Sequence, residues 1–363
     1  MTPVLRVVEH SPAGRVAARG SPDDDALLRL GAWLHRTGYR FVTVTPATHA
    51  RVNVRQSAGD AKSLQDVFGW SRPFRPSLLP REALAWLQKG DGLEYASGQL
   101  RSKVRFSTLG DSLYMHSAYP TASSDAVFFG PDTYRFTALI KRTLAAAGRA
   151  RADCVVDVGC GAGAGGIVAV KALRIPASQL ILADINPAAL RYARVNAALA
   201  GISNASFRQG DLFQVVDRPI DLLVANPPYL LDADARLYRH GGGALGSGLS
   251  TRIVVEGLPR LAPGGIMILY TGAPIVAGRD TFWESVEPVV RTANLRCDYT
   301  ELDPDVFGEE LECPAYSQVD RIAAVALVVR KLQICSGARV AGGARPVSSL
   351  WEPAAQSSRR PVQ

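Results

Sequence analysis

The chain has 363 residues, of which 47% are hydrophobic and 20% charged, a composition typical of an ordinary soluble globular protein. Its length exceeds what one hydrophobic core comfortably supports, so two domains are expected. The five cysteines are scattered without a C-x-x-C pair, which argues against a disulfide framework and a structural zinc site. Because the N-terminus lacks an apolar signal segment and every apolar run is too short to span a bilayer, we expect a cytoplasmic protein.

The net charge of +8 is unevenly distributed along the chain. Residues 1–150 carry 20 Lys and Arg against 12 Asp and Glu, whereas residues 151–331 carry 17 against 20. A basic N-terminal part is typical of proteins that bind RNA or another polyanion, and also of a solvated arginine-rich surface. The charge alone leaves both interpretations open.

Residues 1–120 are predicted to form a small basic α+β domain that recognises the substrate. Helical patterns cover 23–39 and 81–90, and short strands are predicted within 40–46, 93–110 and 112–119.

Residues 121–331 are predicted to form an α/β domain with a doubly wound, mostly parallel sheet. A helix over 133–148 precedes apolar strand-like runs that alternate with helical patterns, at 154–158, 180–185, 221–226, 264–272 and 321–331. Residues 295–303 and 321–331 have no long helix between them, which predicts an antiparallel pair at one edge. Residues 332–363 lack any periodicity and are predicted to form a disordered tail.

A glycine-rich loop follows the first of these strands. It reads D-x-G-x-G-x-G through Asp157, Gly159, Gly161 and Gly163. Gly161, Gly163 and Gly166 also satisfy G-x-G-x-x-G. Taken alone, this pattern would indicate a dinucleotide site in which Asp184 bonds to a ribose hydroxyl. Glycines let the backbone approach a ligand closely, and the preceding acid suits an amino-acid ammonium better than a pyrophosphate.

Asn-Pro-Pro-Tyr at 226–229 ends the apolar strand at 221–226. Each proline fixes its own φ and restricts the residue before it, so Asn226 and Pro227 should be extended with their carbonyls held in set directions. Such rigidity at the end of a buried strand indicates a functional site.

These motifs, together with Asp184 and the "GDLF" that contains Asp211, follow one another as in class I S-adenosylmethionine-dependent methyltransferases. The chain resembles the "methyltransferase small" group, which includes the HemK-like glutamine N5-methyltransferases and enzymes acting on exocyclic amines of ribosomal RNA. The resemblance covers about 125–331. It implies a Rossmann-like sheet of seven strands and S-adenosyl-L-methionine as the cofactor.

The resemblance also implies roles for individual residues. The loop from Gly159 to Gly163 would hold the methionine part of the cofactor, with Asp157 before it, and Asp184 would hold the ribose hydroxyls. Asp211 and Leu212 would contact the adenine edge. The segment at 128–136 matches the Arg-Pro-x-Thr-Glu segment of HemK-like enzymes at Pro131 and Thr133, which places Thr133 at the cofactor site, whereas Gly130 and Tyr134 replace its Arg and Glu.

For Asn-Pro-Pro-Tyr the resemblance implies methylation of a planar nitrogen. The nitrogen lone pair of an amide or aromatic amine is delocalised, so the nitrogen must be oriented before it can react. The side-chain oxygen of Asn226 and the carbonyl of Pro227 would accept its two hydrogens, Pro228 would stiffen the segment, and the Tyr229 ring would stack on the flat group.

A glycine-rich stretch at 238–258 is predicted to be a mobile lid over the substrate. His240 begins it, and His116 lies just before the 128–136 segment. Neither histidine is assigned a catalytic role, and no metal site is predicted.

The sequence therefore predicts an S-adenosylmethionine-dependent N-methyltransferase whose basic N-terminal domain selects a macromolecular substrate, with a ribosome-associated substrate included. A protein glutamine amide, an exocyclic amine of RNA and a planar nitrogen of a small natural product all remain open. Two further alternatives are a non-catalytic nucleic-acid-binding module with a methyltransferase fold and a nicotinamide-dependent oxidoreductase.

Overall fold

The computed structural model of the chain describes residues 21–55, 60–96 and 98–333. The described residues up to Leu332 belong to one compact unit. The predicted tail at 332–363 lies outside the described residues from position 334 onward. Within the described ranges, no helix is both long enough and apolar enough to cross a membrane.

In the described residues before position 120, the chain forms four α-helices and two antiparallel hairpins. The helices are α1 (Pro22–Arg36), α2 (Pro46–Arg55), α3 (Leu64–Phe68) and α4 (Arg81–Lys89). The hairpins pair β1 (Leu93–Ala96) with β2 (Gln99–Ser102), and β3 (Val104–Leu109) with β4 (Ser112–Ser117). The two predicted helices correspond to α1 and α4, and the capping box of Ser21 and Asp24 starts α1.

The strand predicted at 40–46 is wrong. Residues 41–45 are not in a strand, and α2, which the sequence analysis missed, begins at Pro46. The Phe41 backbone N–H donates to Thr108 Oγ1, and the Thr43 N–H donates to the Tyr134 hydroxyl. In a strand, these N–H groups would instead bond to the backbone carbonyls of a neighbouring strand. Proline fits the first turn of a helix, and Thr45 accepts a hydrogen bond from the Thr48 N–H.

The remaining elements build the large sheet and its covering helices. The helices are α5 (Pro131–Ala146), α6 (Ala164–Ala172), α7 (Pro187–Leu199), α8 (Gly248–Gly257) and α9 (Thr281–Val290). The strands are β5 (Cys154–Val158), β6 (Gln179–Asp184), β7 (Ala205–Gln209), β8 (Ile220–Ala225), β9 (Leu261–Val276), β10 (Arg279–Asp280), β11 (Leu295–Asp303) and β12 (Arg321–Lys331).

The main sheet has the strand order β11-β12-β9-β8-β5-β6-β7, and the short β10 pairs with β9. Strands β5 to β9 run parallel, whereas β12 is antiparallel to both β9 and β11. The predicted doubly wound sheet of seven strands and its antiparallel edge pair are confirmed. From β5 the chain moves outward to β6 and β7, and then returns to β8 on the other side. Ligands of open α/β sheets bind at such a switch point, beside the carboxyl ends of the strands.

Helix α7 joins the N-terminal elements to this sheet. Asp24 of α1 is buried and pairs with Arg191 at 2.8 Å and with Arg194 at 3.5 Å. The buried Asn196 side chain exchanges hydrogen bonds with the Met115 backbone of β4 and donates to the carbonyl of Ala162 in the glycine loop. These bonds hold the glycine loop against β4, and a domain boundary near residue 120 stays a prediction.

Candidate functional site

A cavity of about 200 Å³ lies at the carboxyl ends of the parallel strands, where the fold predicts a ligand site. Most of the site residues predicted from the sequence line it: Thr133, Gly159, Gly161, Asp184, Asp211, Leu212, Asn226, Pro227, Pro228 and Tyr229. Asp157 and Gly163 do not line the cavity. These residues come from five segments that are far apart in the sequence, and the fold brings them together at one cavity.

The glycine loop presents bare backbone to this cavity. Gly159 has a φ of 64° and Gly161 a φ of 52°, values that an L side chain rarely adopts. The Gly161 N–H donates to Asp184 Oδ2 at 2.8 Å, and the Asn186 N–H donates to Asp184 Oδ1 at 2.9 Å. The carboxylate of Asp184 is thus fixed at the end of β6, and each oxygen retains room for a second donor.

Asp157 lies behind the loop. Its side chain is buried, and Oδ2 accepts a 2.7 Å hydrogen bond from the Gly166 N–H in the first turn of α6. Burial raises the pKa of Asp157 to about 8, although the Gly166 hydrogen bond opposes the shift. In this structure the carboxyl group joins β5 to α6, and its predicted contact with a cofactor ammonium stays a prediction.

We expect Asp157→Asn to remove a part of the pH dependence of stability. The folded-state pKa lies near 8, whereas that of an unperturbed aspartate is 3.8, so the stabilisation by Asp157 is complete below the lower value and is lost as the pH rises through the higher one. Asparagine keeps an acceptor for Gly166 and does not ionise. The free energy of unfolding of the variant relative to wild type should therefore rise between about pH 5 and about pH 8 in urea titrations. A difference independent of pH would contradict the assigned protonation.

Asp211 and Leu212 follow β7 and line the same cavity. Both carboxylate oxygens of Asp211 accept from Arg252 of α8, at 3.0 and 3.4 Å. Leu212 has a φ of 47°, which is unusual for a residue other than glycine. The Arg252 pair fixes the direction of the Asp211 carboxylate, a contact that the sequence analysis missed.

Asn226 is the one polar side chain of the Asn-Pro-Pro segment. It lies directly after β8, is half-buried and lines the cavity. Among the described residues, neither its side-chain oxygen nor its nitrogen has a hydrogen-bond partner in the structure. Partly buried amides normally find such partners, so an unused amide held between a strand and two prolines is available to a bound molecule.

Tyr229 is held by a buried carboxylate that the sequence analysis missed. Its hydroxyl donates to Asp132 Oδ2 at 2.7 Å, and the Tyr270 hydroxyl donates to Asp132 Oδ1 at 2.7 Å. Arg135 completes the cluster, 3.1 Å from Asp132 Oδ1. Gly272 lies beside the Tyr229 ring, and a Cβ there would overlap it. Burial raises the pKa of both tyrosines above the ordinary value, so both hydroxyls remain donors.

We expect Asp132→Asn to lower the free energy of unfolding by about 1–3 kcal/mol, because the two hydroxyls donate to different carboxylate oxygens and asparagine replaces one of these acceptors with an NH2 donor. Adding Tyr270→Phe to this variant should recover part of the loss, since the remaining oxygen then serves Tyr229 alone. Urea unfolding of the two single variants and the double variant would measure this coupling. Additive losses would show that the two tyrosines do not share the carboxylate.

The glycine-rich stretch packs closely beside the Asn-Pro-Pro-Tyr segment. The Gly241 N–H donates to the Leu230 carbonyl at 2.8 Å, and a Cβ at Gly246 would lie 2.5 Å from the Tyr229 carbonyl. These glycines therefore let the stretch pack against the backbone of Tyr229 and Leu230. The prediction of a mobile lid did not anticipate this contact. The exposed His240 lies outside the residues that line the cavity, and its Nδ1 accepts from the Asp232 N–H.

His116 belongs to the core of the N-terminal part. It is 1% exposed, its Nε2 lies 2.7 Å from Ser107 Oγ, and its ring stacks on Phe129. Burial and the nearby Arg105 lower the pKa of His116 well below the ordinary value. A neutral, fully enclosed imidazole of this kind supports a structural role.

Further residues that line the cavity were not assigned to the site from the sequence. Pro46 begins α2, Phe128 precedes α5, Leu237 and Tyr238 follow the Asn-Pro-Pro-Tyr segment, and Phe307 lies between β11 and β12. Phe128 and Tyr238 stack with ring centroids 5.6 Å apart. No motif marks these positions, because each reaches the cavity only through the tertiary fold.

Comparison with known proteins covers the same part of the chain. Residues 122–273 match the family model of the methyltransferase small domain. The chain is 34% identical over 169 residues to a release factor glutamine methyltransferase of Deinococcus radiodurans, covering 43% of this chain and 55% of the relative. It is 36% identical over 135 residues to the enzyme of the same name from Cereibacter sphaeroides, covering 33% of this chain and 46% of that relative. The chain thus spans about half the length of the curated relatives it matches.

A crystal structure of the M. jannaschii tRNA m1G37 methyltransferase is also similar, with a TM-score of 0.44 and 15% identity, over 64% of this chain and 55% of that one. The family match and the curated relatives bear out the predicted relationship and the predicted cofactor. Residues 122–273 are therefore similar to the methyltransferase small domain, and the curated relatives that the chain resembles are named release factor glutamine methyltransferases.

Proposed function

We propose that the chain is an N-methyltransferase that modifies a glutamine side-chain amide of a protein substrate. The observation that carries this proposal is the Asn226 side chain, half-buried in the cavity without a hydrogen-bond partner among the described residues. A primary amide brings two N–H donors, which match the Asn226 oxygen and the Pro227 carbonyl. The relatives named release factor glutamine methyltransferases support a glutamine as the target.

The residues around the cavity fit S-adenosylmethionine. The bare backbone at Gly159 and Gly161 leaves space for the methionine part, and the Asp184 carboxylate has free lone pairs for ribose hydroxyls. Asp211 and Leu212 line the part of the cavity next to β7. The cofactor supplies an electrophilic methyl group on a sulfonium.

The chemistry left to the protein is orientation. Asn226 and Pro227 accept the two amide hydrogens, which turns the nitrogen lone pair toward the methyl group, and Tyr229 provides an aromatic wall held by Asp132. Alignment of this kind contributes up to roughly 7–11 kcal/mol to catalysis. The methylated nitrogen then releases one proton to water, so a general base with a shifted pKa is not required.

The N-terminal part contributes to substrate recognition in this proposal. Pro46 of α2 lines the cavity, and Arg51 and Arg55 of the same helix are exposed without an ion pair among the described residues. Helix α2 contains no acidic residue. A macromolecule whose target group enters the cavity would therefore pass a basic helix.

The same arginines favour RNA as the second candidate substrate. To decide, the protein would be incubated with methyl-labelled cofactor and, in parallel, with purified release factor and with ribosomal RNA. We expect label in the release factor. Label only in RNA, with an affinity that falls linearly on a log–log plot as salt rises, would favour the second candidate. No label in either polymer would contradict the proposal.

A further inference from the structure

Phe307 has an unusual backbone conformation at the edge of the cavity. It lies in the connection between β11 and β12, at a φ of 58° and a ψ of 41°. A bulky residue rarely adopts this left-handed conformation, because its Cβ crowds the backbone. Strained residues of this kind occur where the surrounding structure holds them in place, and they cluster at ligand sites.

The residues next to Phe307 hold it in this conformation. The buried Val306 donates its N–H to the Ile322 carbonyl of β12 at 2.8 Å, and the Phe307 carbonyl accepts from the Glu310 N–H at 2.9 Å. The Glu310 side chain pairs in turn with Arg239, which also lines the cavity. The connection is therefore fixed on both sides of Phe307.

The Phe307 ring faces the cavity as well as the core. Phe307 is only half-buried and lines the cavity, and its ring centroid lies 5.9 Å from that of Tyr229 at an angle of 69°. A purely structural residue would gain from full burial, and glycine would adopt this backbone without strain. Ala277, which has a similar φ of 49°, is exposed and does not line the cavity.

We infer that Phe307 is a substrate-contacting residue that forms, with Tyr229, an aromatic corner for the planar group that carries the target nitrogen. The inference rests on the proposed function. Asp132 fixes the Tyr229 ring, and the Phe307 ring lies at a steep angle to it. A flat amide that stacks on the Tyr229 ring would therefore meet the Phe307 ring with its edge. Aromatic contacts of this geometry are favourable.

Phe307→Gly tests this role because it removes the ring and relieves the backbone. We expect KM for the glutamine substrate to rise about tenfold. The expected change in kcat is much smaller, and cofactor affinity by isothermal titration should not change. Phe307→Leu, which keeps an apolar side chain without the aromatic ring, should show an intermediate KM. Ala277→Gly is the matched control, since it makes the same backbone change away from the cavity, and it should leave KM unaltered.

The stability readout separates a substrate role from a structural one. The thermal midpoint of Phe307→Gly should be no lower than that of Phe307→Ala, because glycine fits the left-handed conformation. A wild-type KM in an active Phe307→Gly variant would overturn the inference while leaving the proposed function intact. A loss of cofactor affinity would assign the ring to the cofactor instead. A wild-type protein that methylates no glutamine substrate would overturn the proposed function, and this inference with it.

Discussion

Asn226→Ala is expected to lower kcat by about 100-fold or more, by analogy with the loss of one oriented catalytic hydrogen bond. The variant loses one of the two acceptors proposed to orient the target nitrogen, while Gly159, Gly161 and Asp184 keep their positions. Cofactor affinity should therefore stay at the wild-type value. Because the side chain has no partner among the described residues, its removal breaks no internal hydrogen bond and should leave stability nearly unchanged.

Steady-state kinetics with the purified protein substrate would separate kcat from KM in this variant. Asn226→Asp is the sharper comparison, since it keeps an acceptor oxygen but adds a negative charge, and we expect partial activity at best. A near-normal kcat in Asn226→Ala would mean that the Asn-Pro-Pro-Tyr segment is only a rigid strand end. The orientation mechanism would then lose its support.

Asp184→Ala is expected to weaken cofactor binding by about 10- to 100-fold. Hydrogen bonds to a charged carboxylate contribute about 1.5–3 kcal/mol, and each 1.4 kcal/mol corresponds to about tenfold in affinity. The same change removes the acceptors of the Gly161 and Asn186 N–H groups, so the glycine loop also loses a support. Isothermal titration with S-adenosylmethionine would measure the loss.

Asp217→Ala is a suitable control, because this exposed carboxylate of the same domain lies outside the residues that line the cavity. Burial raises the pKa of Asp184, so its charge is lost at a higher pH than that of an exposed aspartate. Cofactor affinity should accordingly fall as the solution is acidified. An Asp184→Ala variant with unchanged affinity would refute the ribose assignment.

The central strands of the sheet could be predicted because they are apolar on both faces and are followed by recognisable glycine, proline or acidic residues. The runs at 154–158, 295–303 and 321–331 coincide with β5, β11 and β12. The site residues that follow β5, β6 and β8 lie at the ends of predicted strands, whereas no strand was predicted at β7, and Asp211 and Leu212 were assigned from the resemblance alone. In a parallel sheet, the carboxyl ends of neighbouring strands meet at one edge.

The contacts that complete the site depend on residues far apart in the sequence. Asp132 meets Tyr229 and Tyr270 only after α5 packs beside β9, and nothing in the local sequence predicts that pair. The left-handed backbone at Phe307 likewise depends on the hydrogen bond from its neighbour Val306 to Ile322 of β12. The prediction of a strand at 40–46 was wrong although alternating Val and Thr favour an extended chain. The segment bonds to side chains of β3 and α5 and does not join a sheet.

The central claim is tested most directly by locating the transferred methyl group. The protein would be incubated with S-adenosylmethionine and a purified release factor, and the product digested and sequenced by tandem mass spectrometry, with Asn226→Ala as the inactive control. We predict one added methyl group on the side-chain nitrogen of a glutamine, formed by wild type and nearly absent with the variant. A methyl group on another atom, or equal modification by the two proteins, would contradict the account.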